Sequence, residues 1–325
     1  MPYLQSTIIL KNKYVVLLSL CVTISFTIQS QNPADKLMTH EIGINVDNDQ
    51  PFETDQYYTA GQDFYYRWLT NTKFPFVKKT DSTKTIFTFH YGNKVFNPFN
   101  LDTKDTRYMD RPYCGWNFIG AELQNFNRKN SGNFLGVQIG LVGPASGMGA
   151  LQVWWHETIK LYPVEGWDSQ IVNEVVVNLN YNHAHAFTLG KGAEIVSSSG
   201  AWLGTGSNKL TQEFTLRLFK FNPLSESSFL SSRLSKGKNP EREFFFFAAL
   251  GGDLVFSNIF IQGSLFAGNP SPFTTSVNPW YFTTKAGIQY SSKRISASFS
   301  IVHLTKETEW VNVHDYASIS MAFRY

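Results

Sequence analysis

Apolar and polar residues alternate along most of this chain. Near the C-terminus Ala317, Ile319, Met321, Phe323 and Tyr325 fall on one face, and Tyr316, Ser318, Ser320, Ala322 and Arg324 on the other. That is the period of a strand with different surroundings on its two sides. Trp280, Phe282, Ala286 and Ile288 oppose Tyr281, Thr283, Lys285 and Gln289 in the same way, as do Phe64, Tyr66 and Trp68 against Asp63, Tyr65 and Arg67. The pattern predicts about twelve strands, at 38–47, 59–70, 84–95, 114–125, 133–142, 173–187, 193–202, 208–221, 242–254, 279–291, 294–304 and 314–325. An even number of alternating segments is what a bacterial transmembrane barrel needs, with one face toward lipid and the other toward the lumen. The segment 258–266 also looks extended and suggests a hairpin within a loop.

One helix is expected, in the connection 143–172. The run 149–162 lacks Pro, and Gln152 and His156 lie four apart on a shared helix face, beside Trp154 and Trp155. With the first residue of the barrel in the periplasm, the connections 48–58, 96–113, 143–172, 203–207, 255–278 and 305–313 all face outward. The turns at 126–132, 188–192 and 292–293 are short, as periplasmic turns should be, whereas 71–83 and 222–241 are not.

Composition agrees with a barrel. Aromatic residues make up 16% of the chain and charged residues also 16%, against about 25% charged for an average globular domain. The mean hydropathy of −0.20 hides the lipid-facing residues, because alternation averages them with polar ones. A net charge of +3 is too small to suggest a nucleic-acid partner. The N-terminus reads as a secretory signal, residues 1–30: Lys11 and Lys13 precede the uncharged apolar run 15–28, and small residues lead to Ser30-Gln31. Leu20 before Cys21 does not suit lipoprotein processing. Residues 31–325 then form one domain, in which Cys114 has no cysteine to pair with. The terminal Tyr325 resembles the signal read by the barrel-assembly machinery of outer membranes.

Three polar-rich segments, 48–61, 110–116 and 143–156, fall on the same outer end. The 48–59 stretch offers Asn48, Asp49, Glu53, Asp55 and Thr59. Such hard oxygen ligands suit calcium or magnesium, although a solvated acidic turn would look similar. His156 is the candidate general base, since imidazole titrates near neutral pH; the alternative is a rim histidine that only hydrogen-bonds its neighbours. Ser146 lies outside any G-x-S-x-G context, which disfavours a serine nucleophile. His183 and His185 share a strand face but have no third ligand nearby in sequence.

The segments Asn48-Asp49 with Thr54-Asp55-Gln56-Tyr57-Tyr58-Thr59-Ala60-Gly61, Asp110-Arg111-Pro112-Tyr113-Cys114-Gly115-Trp116, Gly143-Pro144-Ala145-Ser146-Gly147, Gln152 with His156, and Gly166-Trp167-Asp168-Ser169-Gln170 with Asn173-Glu174 together resemble the lipid A 3′-O-deacylase family, across nearly all of the mature chain. The resemblance implies a twelve-stranded outer-membrane barrel whose calcium-dependent site faces the outer leaflet, between the outer wall and a loop helix. It implies that His156 activates water, that Asn48, Asp49, Thr59 and Gln152 complete the catalytic site, and that Asp49 holds Ca2+. It also implies that Lys104, or alternatively Arg107, binds a phosphate of the lipid A of lipopolysaccharide. Gln50 stands where some family members carry a second acid, which leaves the calcium ligand set open. The competing functions are an outer-membrane phospholipase and a non-catalytic barrel serving as a small channel or a scaffold.

Overall fold

The computed structural model describes residues 36–75, 82–127, 130–264 and 270–325, so the expected signal segment, 1–30, lies outside the described residues. Each alternating segment forms a strand: β1 (His40–Asn48), β2 (Tyr57–Thr70), β3 (Ser82–Asn97), β4 (Cys114–Asn127), β5 (Ser131–Val142), β6 (Glu174–Gly190), β7 (Ala193–Gly204), β8 (Ser207–Lys220), β9 (Glu243–Asn258), β10 (Trp280–Ser291), β11 (Ile295–Leu304) and β12 (His314–Arg324). Neighbours in sequence pair antiparallel, and β1 pairs with both β2 and β12, which closes the sheet into a twelve-stranded barrel. Closure leaves no unpaired strand edge, as a membrane-spanning sheet requires. Helix α1 (Met148–Ile159) lies in the connection where a helix was expected. The expected hairpin at 258–266 is absent from the described part of that segment. Asn258 ends β9 and its side chain accepts from Phe260 N, capping a single helical turn, α2 (Ile259–Gln262).

The two strand faces have different fates. Phe64, Phe89, Ile119, Ile139, Val177 and Phe214 are exposed on the outside of the wall, while the alternate residues point into the lumen. At the end carrying the chain termini, the long 222–241 connection folds back into the lumen. Leu224 and Leu234 pack there against Ile86, Phe126, Phe134, Ala184 and Val196. Arg67 donates to the Ser231 carbonyl at 3.1 Å, and Arg233 lies 3.2 Å from Glu243. This explains why the connection is too long for a simple turn. At the far end, Phe260 of α2 caps the lumen, its ring centroid 4.9 Å from Trp116 and 5.6 Å from Phe96. A polar cavity of about 370 Å³ between the strands is lined by residues such as Asn45, Lys285, Gln289 and Ser318.

The far end is also covered from outside. On β3, Phe89 and Tyr91 are exposed, but Val95 and Asn97, on the same face, are buried. Val95 joins Leu101, Met109, Tyr113, Met148, Val164 and Trp167 in a cluster laid on the outer wall by the connections 98–113 and 143–173. A Cβ at Gly115 of β4 would lie 2.6 Å from both Met148 Cβ and Ser146 Oγ. The missing side chain is what lets the start of α1 rest directly on the strand.

Candidate active site

The loop between β1 and β2 is shaped by local rules. Asn48 Oδ1 accepts from Gln50 N at 2.8 Å, an Asx-type turn. Pro51 sits in the 3-10 turn Gln50–Phe52, which Glu53 ends in the left-handed region at φ 60°. Tyr57, also left-handed at φ 56°, opens β2. Thr59 is then skipped in the pairing of β2 with β3: Tyr58 opposes Phe96 and Ala60 opposes Val95. Thr59 is thus a bulge residue, and its hydroxyl is re-aimed into the loop, as bulges near active sites commonly do.

Asp55 is the centre of the buried cluster that results. Its Oδ1 accepts from Asn97 Nδ2 at 2.9 Å, Gln152 Nε2 at 3.0 Å and Thr59 Oγ1 at 2.5 Å. Its Oδ2 lies 2.8 Å from His156 Nε2 and accepts from the Tyr162 hydroxyl at 3.2 Å. His156 Nδ1 faces the Tyr162 carbonyl at 2.9 Å, an acceptor that requires a proton on Nδ1. Gln152 is oriented by Trp167 Nε1, which donates to its Oε1 at 3.0 Å; a Cβ on Gly149 would meet the Trp167 ring at 2.7 Å. Burial by itself would favour the neutral imidazole, but Asp55 and the Tyr162 carbonyl outweigh it and hold the His156 pKa above its ordinary value.

Asp49 is fully buried beside this pair. Its Oδ2 accepts from Thr54 Oγ1 at 2.8 Å and Gln56 N at 2.9 Å, and its Oδ1 faces Thr59 Oγ1 at 2.8 Å. Burial pushes its pKa up to about 7, against the opposing hydrogen bonds, with the Asp55 charge adding to the rise. Thr59 has one hydroxyl proton but sits against a carboxylate oxygen of each acid. One of those oxygen pairs therefore needs an added proton or a cation between or beside it. Asn97 Oδ1 is a further buried acceptor that meets no donor among the described residues. Among the described residues no group of three or more His, Cys, Asp or Glu side chains forms a metal cluster. The fit to calcium rests instead on hard oxygens of mixed type, from Asp49, Asp55, Thr59 and Asn97. The carboxylate that stands beside Asp49 is Asp55; at position 50 the Gln50 side chain donates to the Thr54 carbonyl at 3.1 Å.

Of the residues singled out in the sequence, Asp49, Thr59, Gln152 and His156 converge here. Asn48 adjoins them at the end of β1, with its side-chain oxygen committed to the turn. Lys104 and Arg107 lie on the exposed neighbouring connection: Lys104 Nζ is 3.6 Å from Glu165, and Arg107 is clasped by Asp105. The sequence offered Asp55 only as a candidate oxygen ligand and not as the partner of His156. Asn97 and Tyr162 carried no sequence signal, and Trp167 only that of its block. Ser146 is turned away from His156 chemistry, with its Oγ donating to the Gly143 carbonyl at 2.6 Å and accepting from Met148 N at 3.3 Å at the start of α1.

The family model described as "Outer membrane protein LpxR" matches residues 16–325. Among solved structures, LpxR from Salmonella typhimurium superposes with a TM-score of 0.69 at 19% identity, covering 88% of this chain and 100% of that one. The β domain of the Bordetella autotransporter BrkA is more distant, with a TM-score of 0.43, 10% identity and coverage of 89% and 98%. No curated protein sequence matches this chain.

Proposed function

The chain belongs to the LpxR family of outer-membrane proteins, and from that premise we propose that it is an esterase that removes the 3′-O-linked acyl chain of lipid A at the outer leaflet. The observation that carries this reading is the position of the His156–Asp55 pair: it lies against the lipid-facing side of the wall, above Phe89 and Tyr91, not in the lumen. An ester in a membrane lipid can meet such a site from the bilayer, whereas a soluble substrate would gain nothing from the placement. The far end of the barrel then faces outward, with Lys104 and Arg107 on a connection beside the site. Their exposed pairs with Glu165 and Asp105 are the weak kind that a lipid phosphate can exchange for.

In the proposed reaction the Tyr162 carbonyl holds the proton on Nδ1. Nε2 faces Asp55 Oδ2 through a proton in the closed site, and becomes the basic nitrogen once that proton is lost to solvent and water takes its place. Water admitted between Nε2 and Asp55 gives its proton to Nε2 as its oxygen attacks the ester carbonyl. Asp55 stabilises the imidazolium that forms, and the ring returns the proton to the departing sugar oxygen. Asp49, Asp55, Thr59 and Asn97 are the groups that would hold calcium, which supplies Lewis-acid stabilisation of the developing oxyanion.

The test is mass spectrometry of purified lipid A incubated with the refolded barrel. We expect loss of the 3′-linked acyl chain, abolished by a strong chelator and restored by calcium. His156→Asn should be slower by at least roughly a hundredfold, the lower end for losing a general base, and Asp49→Asn should lose most activity with the barrel intact. Intact lipid A alongside hydrolysed phospholipid would instead make the protein a phospholipase.

A further inference from the structure

Helix α1 has three distinct sides. Gln152 and His156 point to the wall and are buried; Glu157 lies on an exposed polar edge, and Lys160, just past the helix end, is exposed too. At about 100° per residue, Leu151, Trp154, Trp155 and Thr158 share the remaining arc. The three apolar residues are 43%, 56% and 43% exposed. Thr158 leaves little polar surface there, because its hydroxyl donates to the Trp154 carbonyl at 2.7 Å. An aqueous helix would rarely spend two tryptophans on such a flank.

The height of α1 on the barrel identifies what covers it. Asn117 of β4 donates to the Ser146 carbonyl at 3.3 Å, just before the helix begins. In the sheet register Asn117 stands directly beside Leu141, and Leu141 beside Val175. Both of these are exposed on the outer wall, 40% and 58%. The next lipid-facing row, one step further from the far end, is equally apolar: Ile119, Ile139 and Val177. The helix therefore starts level with the last row of the lipid-facing band, and its apolar flank continues that band.

We propose that the Leu151–Trp154–Trp155 flank of α1 is a membrane-contact surface, seated in the interfacial zone of the leaflet at the far end of the barrel. Tryptophan suits that zone because its ring is apolar and its indole N–H stays wet. The helix lies in the interface like other amphipathic segments, and it steers the cleft between α1 and the wall toward the bilayer. The occupant is the lipid bilayer itself. This inference needs the barrel in a membrane but not the deacylase chemistry, so either can fail alone.

The test places single nitroxide labels at Leu151→Cys, Trp154→Cys and Glu157→Cys, with Cys114 buried, and folds each protein into dioleoylphosphatidylcholine vesicles. Labels at 151 and 154 should relax with oxygen, which partitions into lipid, several-fold more than with a water-soluble nickel chelate, and the label at 157 should do the reverse. Intrinsic fluorescence gives a second readout: brominated lipid should quench the unlabelled protein more than the Trp154→Phe, Trp155→Phe double variant. Equal nickel access at all three positions, or protection seen only as dipolar broadening between copies, would overturn the proposal in favour of an aqueous face or a second copy.

Discussion

Asp55 ties together parts of the chain that are remote in sequence: the β1–β2 loop, the end of β3 through Asn97, and the α1 connection through Gln152, His156 and Tyr162. A carboxylate with this many donors is held in one rotamer, and it fixes the imidazole in turn. Asp55→Asn keeps the size but removes the charge that steadies a protonated His156. We expect its turnover to fall by roughly a hundredfold or more with a smaller change in KM. Ser146→Ala serves as the contrast. It loses hydrogen bonds at the start of α1, so it should cost about 1 kcal/mol of stability while activity stays within the same order of magnitude. Steady-state kinetics of both variants on one lipid A preparation decides the matter. An inactive Ser146→Ala beside an active Asp55→Asn would point to a serine nucleophile.

The bulge at Thr59 and the seat of α1 on β4 show how small departures from regular structure build the site. A regular pairing would send alternate β2 residues strictly in and out; skipping Thr59 frees its hydroxyl to stand between Asp49 and Asp55. On the other wall of the cleft, Gly115 sets the distance between α1 and the barrel. Its substitution by Ala puts a methyl 2.6 Å from Met148 Cβ, and the helix must lift. A displacement of about an ångström at a catalytic group can cost roughly a hundredfold in rate. Gly115→Ala should therefore keep its heat-modifiable mobility in gels, since the strand pairing is untouched, yet lose activity on that scale. Unchanged activity would mean that α1 does not set the position of His156.

For the barrel as a whole, the two lumen closures bear on the channel alternative. The 222–241 plug is fastened by Arg67, Lys84 and Arg233, which reach Ser231, Leu234 and Glu243 respectively, and Phe260 closes the other end on Trp116 and Phe96. Breaking a buried ion pair such as Arg233–Glu243, or stripping a buried Arg or Lys of its carbonyl acceptor, is costly, so the plug should stay in place. In planar bilayers we expect no discrete conductance steps from the intact protein, and openings to appear once residues 224–238 are deleted. Steady ion-conducting steps from the intact protein would favour the channel.

The strand alternation was readable along the chain because it follows from local geometry: successive side chains point to opposite faces, and lipid and lumen demand different residues. The segment near His156 was readable for the same reason, since Gln152 and His156 need only a helix to share a face. The plug was visible only as a connection too long for its place, because its packing depends on Ile86, Phe126 and Val196 from distant strands. The site was half legible. Its oxygen-rich loop and its histidine stood out by composition, but the bond between them did not. Gln152 and Asp55 are 97 residues apart and Tyr162 and Asp55 are 107, and no local rule connects such positions. Barrel closure, the bulge at Thr59 and the bare strand at Gly115 bring them within reach, so it was the tertiary structure that made Asp55 the partner of His156 and set that pair on the lipid side of the wall.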